Sequence, residues 1–497
     1  MNTPAPAHFF PPQLASVLKV HTLDQDKAAA PRDTVKRAIE GLQRVPELGE
    51  FKLAPRATAV PGAYVYSSSC PTLATSGKGL TNDQSMASAV MELVERYSWL
   101  HYDFEHAQGY RFASYRDVAA SDAALPQRGY FSANFSPAQV IEGLLPEVEI
   151  MPLRWVLGTR LHDHAPYYYP LNWHNYLFSS NGLAAGNARE EAIVQATCEL
   201  IERENVFRVF VEGQRGNRLD LGSIDDPLLS QVLEQSQRAG IEFDIRECGL
   251  AYGIPTFLVR GTKAADRDML TYQGFGHGCH LSPVKALIRA FAEYFEGFGH
   301  MQGVQEEVSL PWGALITMWP NKHTGFHNRY HPERFDDVDQ TVALRDIPDL
   351  SLPDLRDEVT YLARHLNQSG VELVLIDKTH PVIDVPTVRM FSPQLRSVIN
   401  TETHKPYEMM GALYFEAGER EKAQAFLNRS LTESDQIENL GAIPFASIIF
   451  STMMRSIPMD SIYKGDYRAA LANLCANKKN GLSGLKQLIG GVMGSTK

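Results

Sequence analysis

Between residues 82 and 101 the apolar residues Met86, Ala89, Val90, Leu93 and Val94 recur at intervals of three and four, which predicts an amphipathic helix. The same period returns over residues 189–212, where Ala192, Ile193, Ala196, Leu200 and Ile201 mark one side, and a third such helix is expected over 283–300. An earlier amphipathic stretch, 32–48, opens on Asp33 and Thr34. Short apolar runs predict strands at 63–66, 148–153, 373–377 and 385–390. Glycine-bearing segments precede each of the three central helices: 67–79, 179–187 and 274–278. All three are expected to be loops or turns. Asn187 is the expected N-cap of the second helix, with Glu190 and Glu191 in its first turn, where they suit the helix dipole. Residues 302–345 carry Pro, Gly, His and acidic clusters and predict a long loop or insertion.

The last hundred residues read as helix throughout. Met410, Gly411, Tyr414, Gly418, Ala423, Leu427 and Leu431 follow tetratricopeptide spacing, and Gly465 to Leu474 looks like a degenerate second copy. The expected organisation is an N-terminal segment (1–60), an α+β body (61–400) and a C-terminal all-α, tetratricopeptide-like segment (401–497).

Composition fits a globular protein, with 44% hydrophobic and 21% charged residues among 497. The formal charge of −11 argues against a nucleic-acid binder or a basic membrane surface. No apolar run approaches the roughly 20 residues of a membrane span, and the first residues show no export signal. Five scattered cysteines without a CxxC pair suggest neither a zinc site nor a disulfide framework, so a reducing cytoplasm is expected.

The chemistry lies in a doubled string. Glu92-Leu93-Val94-Glu95-Arg96 returns as Glu199-Leu200-Ile201-Glu202-Arg203. Carboxylates at i and i+3 with Arg at i+4 share one helix face. A single such string is best explained as a solvated face carrying a weak exposed ion pair. The second helix is harder to explain that way. Asn187, Glu191, Gln195, Glu199 and Glu202 form a polar stripe over four turns that contains no Lys. Two such faces brought together would need cations, and magnesium carrying a polyphosphate is the obvious one. Ser76-Gly77-Lys78-Gly79 falls short of a Walker A loop, yet a glycine turn with Lys78 can hold phosphate. A plain surface turn fits Lys78 equally well. His323, His327 and His331 stand among Pro320, Gly325 and Pro332, which oppose a helix, so a polar loop is expected there rather than a metal site. Cys198 reads as a small buried residue.

These residues resemble the YcaO family. Its SxxxExxER signature matches Ser88, Glu92, Glu95 and Arg96, and its Ex3Q…ExxER signature matches Glu191, Gln195, Glu199, Glu202 and Arg203. The SGKG segment and the stretch from Gly278 through Arg289 to Glu293 also match, so the likeness spans roughly residues 60–400. The resemblance implies a YcaO-type ATP-binding α+β domain that phosphorylates a peptide backbone amide with ATP and Mg2+. It implies that Glu92, Glu95, Glu191, Glu199 and Glu202 serve the metal. Lys78, Ser88, Asn187, Glu191, Gln195 and Arg289 serve the nucleotide, and Arg96 and Arg203 face phosphate beside the catalytic Glu92 and Glu199. The motif's Ser falls at Ala184, where Asn187 or Ser180 is expected to compensate. The chain's last residues lack the PxPxP ending of azoline-forming members, which favours thioamide formation. A cyclodehydratase and an accessory factor for ribosomal protein S12 methylthiolation remain alternatives. The expected partners are a peptide or protein substrate, a TfuA-like or other peptide-recognition protein, and a second copy in a homodimer.

Overall fold

The computed structural model describes residues 11–435 apart from 57, 59, 103, 122, 134–140, 264–271, 309–337 and 398–405. Its centre is one motif used three times, a strand that turns straight into a helix lying back on it. Leu73–Gly79 feeds the helix Asn82–Leu100, Leu183–Ala185 feeds Arg189–Phe210, and Tyr272–Cys279 feeds Pro283–Val308. These helices are named below for Glu92, Glu199 and Glu293.

Each strand belongs to a different sheet. Leu73–Gly79 closes a three-stranded antiparallel sheet with Lys52–Arg56 and Tyr64–Cys70. Tyr272–Cys279 is the edge of a five-stranded sheet that continues through Thr256–Lys263, Ile241–Glu247 and Gly216–Leu219 to Val338–Val342, the last pair being parallel. Leu183–Ala185 edges a sheet that runs through Thr387–Phe391, Val374–Asp377 and Leu153–Arg160 to Arg111–Ala113, with Pro166–Pro170 also paired to Leu153–Arg160.

The glycines explain how the helices come so close. A Cβ on Gly77 would lie 1.9 Å from the Ala89 amide nitrogen of the Glu92 helix. A Cβ on Gly278 would lie 2.3 Å from the Ala286 carbonyl oxygen of the Glu293 helix. Both glycines sit in strands and serve close backbone approach, so the expected turns at 76–79 and 274–278 are strands instead. Other expectations also change. Residues 145–150 form a helix, and the strand begins at Leu153. The first helix stops at Gln43, before the 3-10 turn Pro46–Leu48 imposed by Pro46. Within the expected 302–345 loop, the Glu293 helix continues to Val308 and Val338–Val342 is a strand.

The apolar stripes read from sequence are core. Ala89, Val90, Leu93 and Val94 are fully buried on one side of the Glu92 helix. Ala192, Ile193, Ala196 and Ile201 are fully buried on the Glu199 helix, and Cys198 is buried with them. Full burial of each Leu or Ile side chain contributes roughly 1.5–3 kcal/mol.

The N-terminal segment is pinned across the body. Val17 N–H donates to the Asp354 carboxylate, and Lys19 bridges Asp26 and Glu358 at 2.7 and 2.6 Å. Lys285 Nζ donates to the Thr22 and Leu23 carbonyls. At the other end Pro406–Glu416 and Arg420–Asp435 form a helical hairpin held by Phe426 stacking on Tyr407 and Tyr414. The expected second helical repeat and the three spaced histidines lie outside the described residues. No described helix is long and apolar enough to cross a membrane.

Candidate active site

The three helices aim their polar faces into one cleft of about 260 Å³. Every site residue expected from sequence lines it: Lys78, Ser88, Glu92, Glu95, Arg96, Asn187, Glu191, Gln195, Glu199, Glu202, Arg203 and Arg289. His277, Glu293 and the N-terminal residues Gln25 and Lys27 join them.

Local structure sets each group. Thr81 caps the Glu92 helix by accepting from Gln84 N–H at 3.3 Å. The Lys78 N–H donates to Ser88 Oγ at 3.2 Å, tying the strand to the helix. Ala188, not Asn187, is the N-cap of the Glu199 helix. Asn187 turns inward, and its N–H and Nδ2 donate to Glu191 Oε1 at 3.2 Å. The Ala28 N–H of the N-terminal segment donates to Glu191 Oε2 at 2.8 Å, and Lys27 stands 3.7 Å away. Glu191 is thus held by protein donors rather than left open. Gly182 N–H, in a turn at φ +75, donates to Glu199 Oε2 at 3.2 Å. Arg289 Nη1 donates to Gln195 Oε1 at 2.5 Å.

One half of the cleft is rich in carboxylate. Arg96 lies 3.2 Å from Glu92 and 3.1 Å from Glu95, and across the gap stands Glu199. Arg96 is shared among these carboxyls, with Arg203 3.7 Å from Glu199. Burial raises the Glu92 and Glu199 carboxyls above their ordinary range and pushes Glu95 up to about 8. In each case burial outweighs the lowering by arginine.

The other half is rich in cations. Lys78 Nζ lies 2.8 Å from Glu296 and 3.5 Å from Glu293, and Ser76 Oγ donates to Glu296. Burial would raise the Glu293 carboxyl, yet the donors and charges around it, His277, Lys78, Arg203 and Arg289, together hold it below its ordinary range. Lys78 is raised in turn by Glu293 and Glu296 against the effect of burial.

The donor set fits a magnesium-bound polyphosphate. Glu92, Glu95 and Glu199 are desolvated carboxyls with too little positive charge nearby, the environment a hard divalent cation completes. Glu202 and Glu293 add carboxylate oxygens within 4.8 Å of one another at a second corner. Arg289 Nε is buried with no hydrogen-bond partner among the described residues, a guanidinium edge that phosphate oxygen would satisfy.

Sequence reading missed His277, Glu293 and Glu296 as site residues. Glu293 and Glu296 follow Arg289 by four and seven, one face of a helix, and that spacing was the available signal. His277 was hidden in a glycine string read as a turn.

The family model "YcaO cyclodehydratase, ATP- and Mg2+-binding" matches residues 76–396. The chain belongs to the YcaO family, whose domain binds ATP and depends on Mg2+ and whose members are ATP-dependent cyclodehydratases or amide-activating enzymes. It is 30% identical over 347 residues to an uncharacterized protein of Methanothermobacter thermautotrophicus, covering 64% of this chain and 80% of that one. It is 23% identical over 373 residues to a protein in the tfuA 3' region of Rhizobium leguminosarum bv. trifolii, covering 68% and 80%. Its fold is that of the Methanopyrus kandleri YcaO solved with AMPPCP and Mg2+, with a TM-score of 0.58 and 19% identity over 77% of this chain and 95% of that one.

Proposed function

We propose that this chain phosphorylates a backbone amide of a peptide or protein with ATP and Mg2+, and that the product is a thioamide. The observation that carries the reading is the convergence of both ELxER copies on one cleft divided into a carboxylate half and a cationic half.

In this reading Glu92, Glu95, Glu199 and Glu202 would hold Mg2+, which would supply positive charge against the charge that develops on phosphate in transfer. Lys78, Arg203 and Arg289 take the phosphate oxygens, and Gln195 fixes the Arg289 fork. Ser88 and Asn187 order the backbone on either side. The protein does little covalent work; it positions groups and stabilises charge. The amide oxygen attacks the γ-phosphorus and ADP leaves. Sulfide then adds to the activated carbon, and phosphate departs with the former amide oxygen, leaving C=S. The arginines carry the charge of the leaving phosphate.

The thioamide outcome draws its support from the tfuA context of a relative, since a TfuA-like protein is the partner the family resemblance implies in the thioamide case. Mass spectrometry of candidate peptides incubated with the protein, ATP, Mg2+, sulfide and a TfuA-like partner tests it. The expected product has one sulfur in place of one oxygen. Loss of one water instead would establish the azoline alternative, and an unchanged peptide without phosphate release would support an accessory role.

A further inference from the structure

His277 projects from the strand Tyr272–Cys279 into the cleft and is held from three directions. Its Nδ1 is 2.8 Å from Glu202 Oε1 and 3.1 Å from Glu293 Oε1. Its Nε2 is 3.1 Å from Arg203 Nη1. A guanidinium can only donate, so Nε2 accepts and the ring proton sits on Nδ1. That proton points at the two carboxylates. The result is a one-way chain of donors, from Arg203 through a neutral imidazole to Glu202 and Glu293. Arg203 stands farther from its own carboxylates, 3.7 Å from Glu199 and 3.8 Å from Glu202. The ring nitrogen is therefore the acceptor that sets its guanidinium plane.

We infer that His277 is a positioning residue that aims Arg203 into the cleft. The inference rests on the reading of the cleft as a Mg2+–nucleotide site. It separates His277 from the cation itself. A ring nitrogen carrying hydrogen cannot ligate, so the donors offered at this corner are all oxygen. Oxygen donors suit Mg2+, whereas an open imidazole would invite transition metals. The three elements joined here come from separate parts of the chain: the Glu199 helix, the strand carrying His277, and the Glu293 helix.

The test is calorimetric titration of the full chain with a non-hydrolysable ATP analogue and Mg2+, using His277→Leu, His277→Asn, Arg203→Met and the Leu/Met double variant. Loss of hydrogen bonds to charged groups predicts a roughly tenfold or greater rise in Kd for His277→Leu. His277→Asn, which can still donate and accept, is expected to recover most of that loss. The double variant is expected to bind no worse than Arg203→Met alone, because His277 acts through Arg203. Wild-type affinity in His277→Leu, or losses that multiply in the double variant, would overturn the proposal. Nitrogen NMR of the wild-type ring gives a second reading that needs no variant: a proton on Nδ1 supports the proposal and one on Nε2 contradicts it. Absence of Mg2+-dependent binding in the wild type refutes the nucleotide-site reading first, and this proposal with it.

Discussion

The two ELxER copies share a spelling and differ in surroundings. In the first, Arg96 closes on its own helix, within 3.2 Å of both Glu92 and Glu95. In the second, Arg203 is drawn off its helix to His277, and Glu202 is only 3% exposed. The first helix offers one polar face to the cleft. The second is enclosed, with Glu190, Glu191, Glu202 and Glu204 all buried. The same five letters thus supply a local ion-pair cluster in one place and a bridge between sheets in the other. What a motif residue does is decided by what its neighbours leave unsatisfied.

The difference predicts unequal mutations. Glu199→Gln removes the carboxylate that stands between the copies and is anchored by Gly182 N–H. It is expected to lower kcat for peptide-dependent phosphate release by about 10²–10³-fold, the scale of losing one preorganised electrostatic group. An effect under tenfold would move the centre of the site away from Glu199. Arg289→Ala should raise the nucleotide Kd by roughly 10–100-fold, as expected for losing charge-assisted hydrogen bonds. Unchanged nucleotide affinity would place phosphate elsewhere. Glu92→Gln, in the self-paired and more exposed copy, should cost about tenfold or less in kcat, by analogy with partly screened charges. If it matches Glu199→Gln, the two copies are equivalent and the contrast fails.

How much of this was legible in the sequence follows the same divide. Helical spacing exposes Glu92, Glu95, Glu199 and Glu202, because i, i+3 and i+4 place side chains on one face whatever lies opposite. All of them do line the cleft. Spacing could not show that Gly77 and Gly278 are strand residues pressed against helices, since glycine signals a turn and a close approach with the same letter. His277 was lost with that misreading. Asn187 precedes a helix and has a cap's side chain, yet its amide is taken by Glu191 and Ala188 occupies the cap position. The alternation of charge between the cleft's two halves depends on three sheets meeting, which no local pattern encodes.

The smallest expected effect concerns pH. Glu92, Glu95 and Glu199 hold their protons in the fold to higher pH than in the unfolded chain, with Glu95 at about 8 against an ordinary value near 4.5. Between those values the unfolded chain has released protons that the native state retains, so stability falls as pH rises. In magnesium-free protein the Tm should therefore drop between about pH 5 and pH 8. Adding Mg2+ with nucleotide, which binds only the folded state, should flatten the drop. A Tm that rises over this window, or that ignores Mg2+, would contradict the electrostatic account.

The most direct test is calorimetric titration of a non-hydrolysable ATP analogue into wild type, Glu95→Gln and Glu199→Gln, each with and without Mg2+. If the two copies hold one cation–nucleotide complex, Mg2+ tightens binding in the wild type and that gain is largely lost in either variant. If either variant retains the full Mg2+-dependent gain, the copies do not share the ligand and the account is wrong.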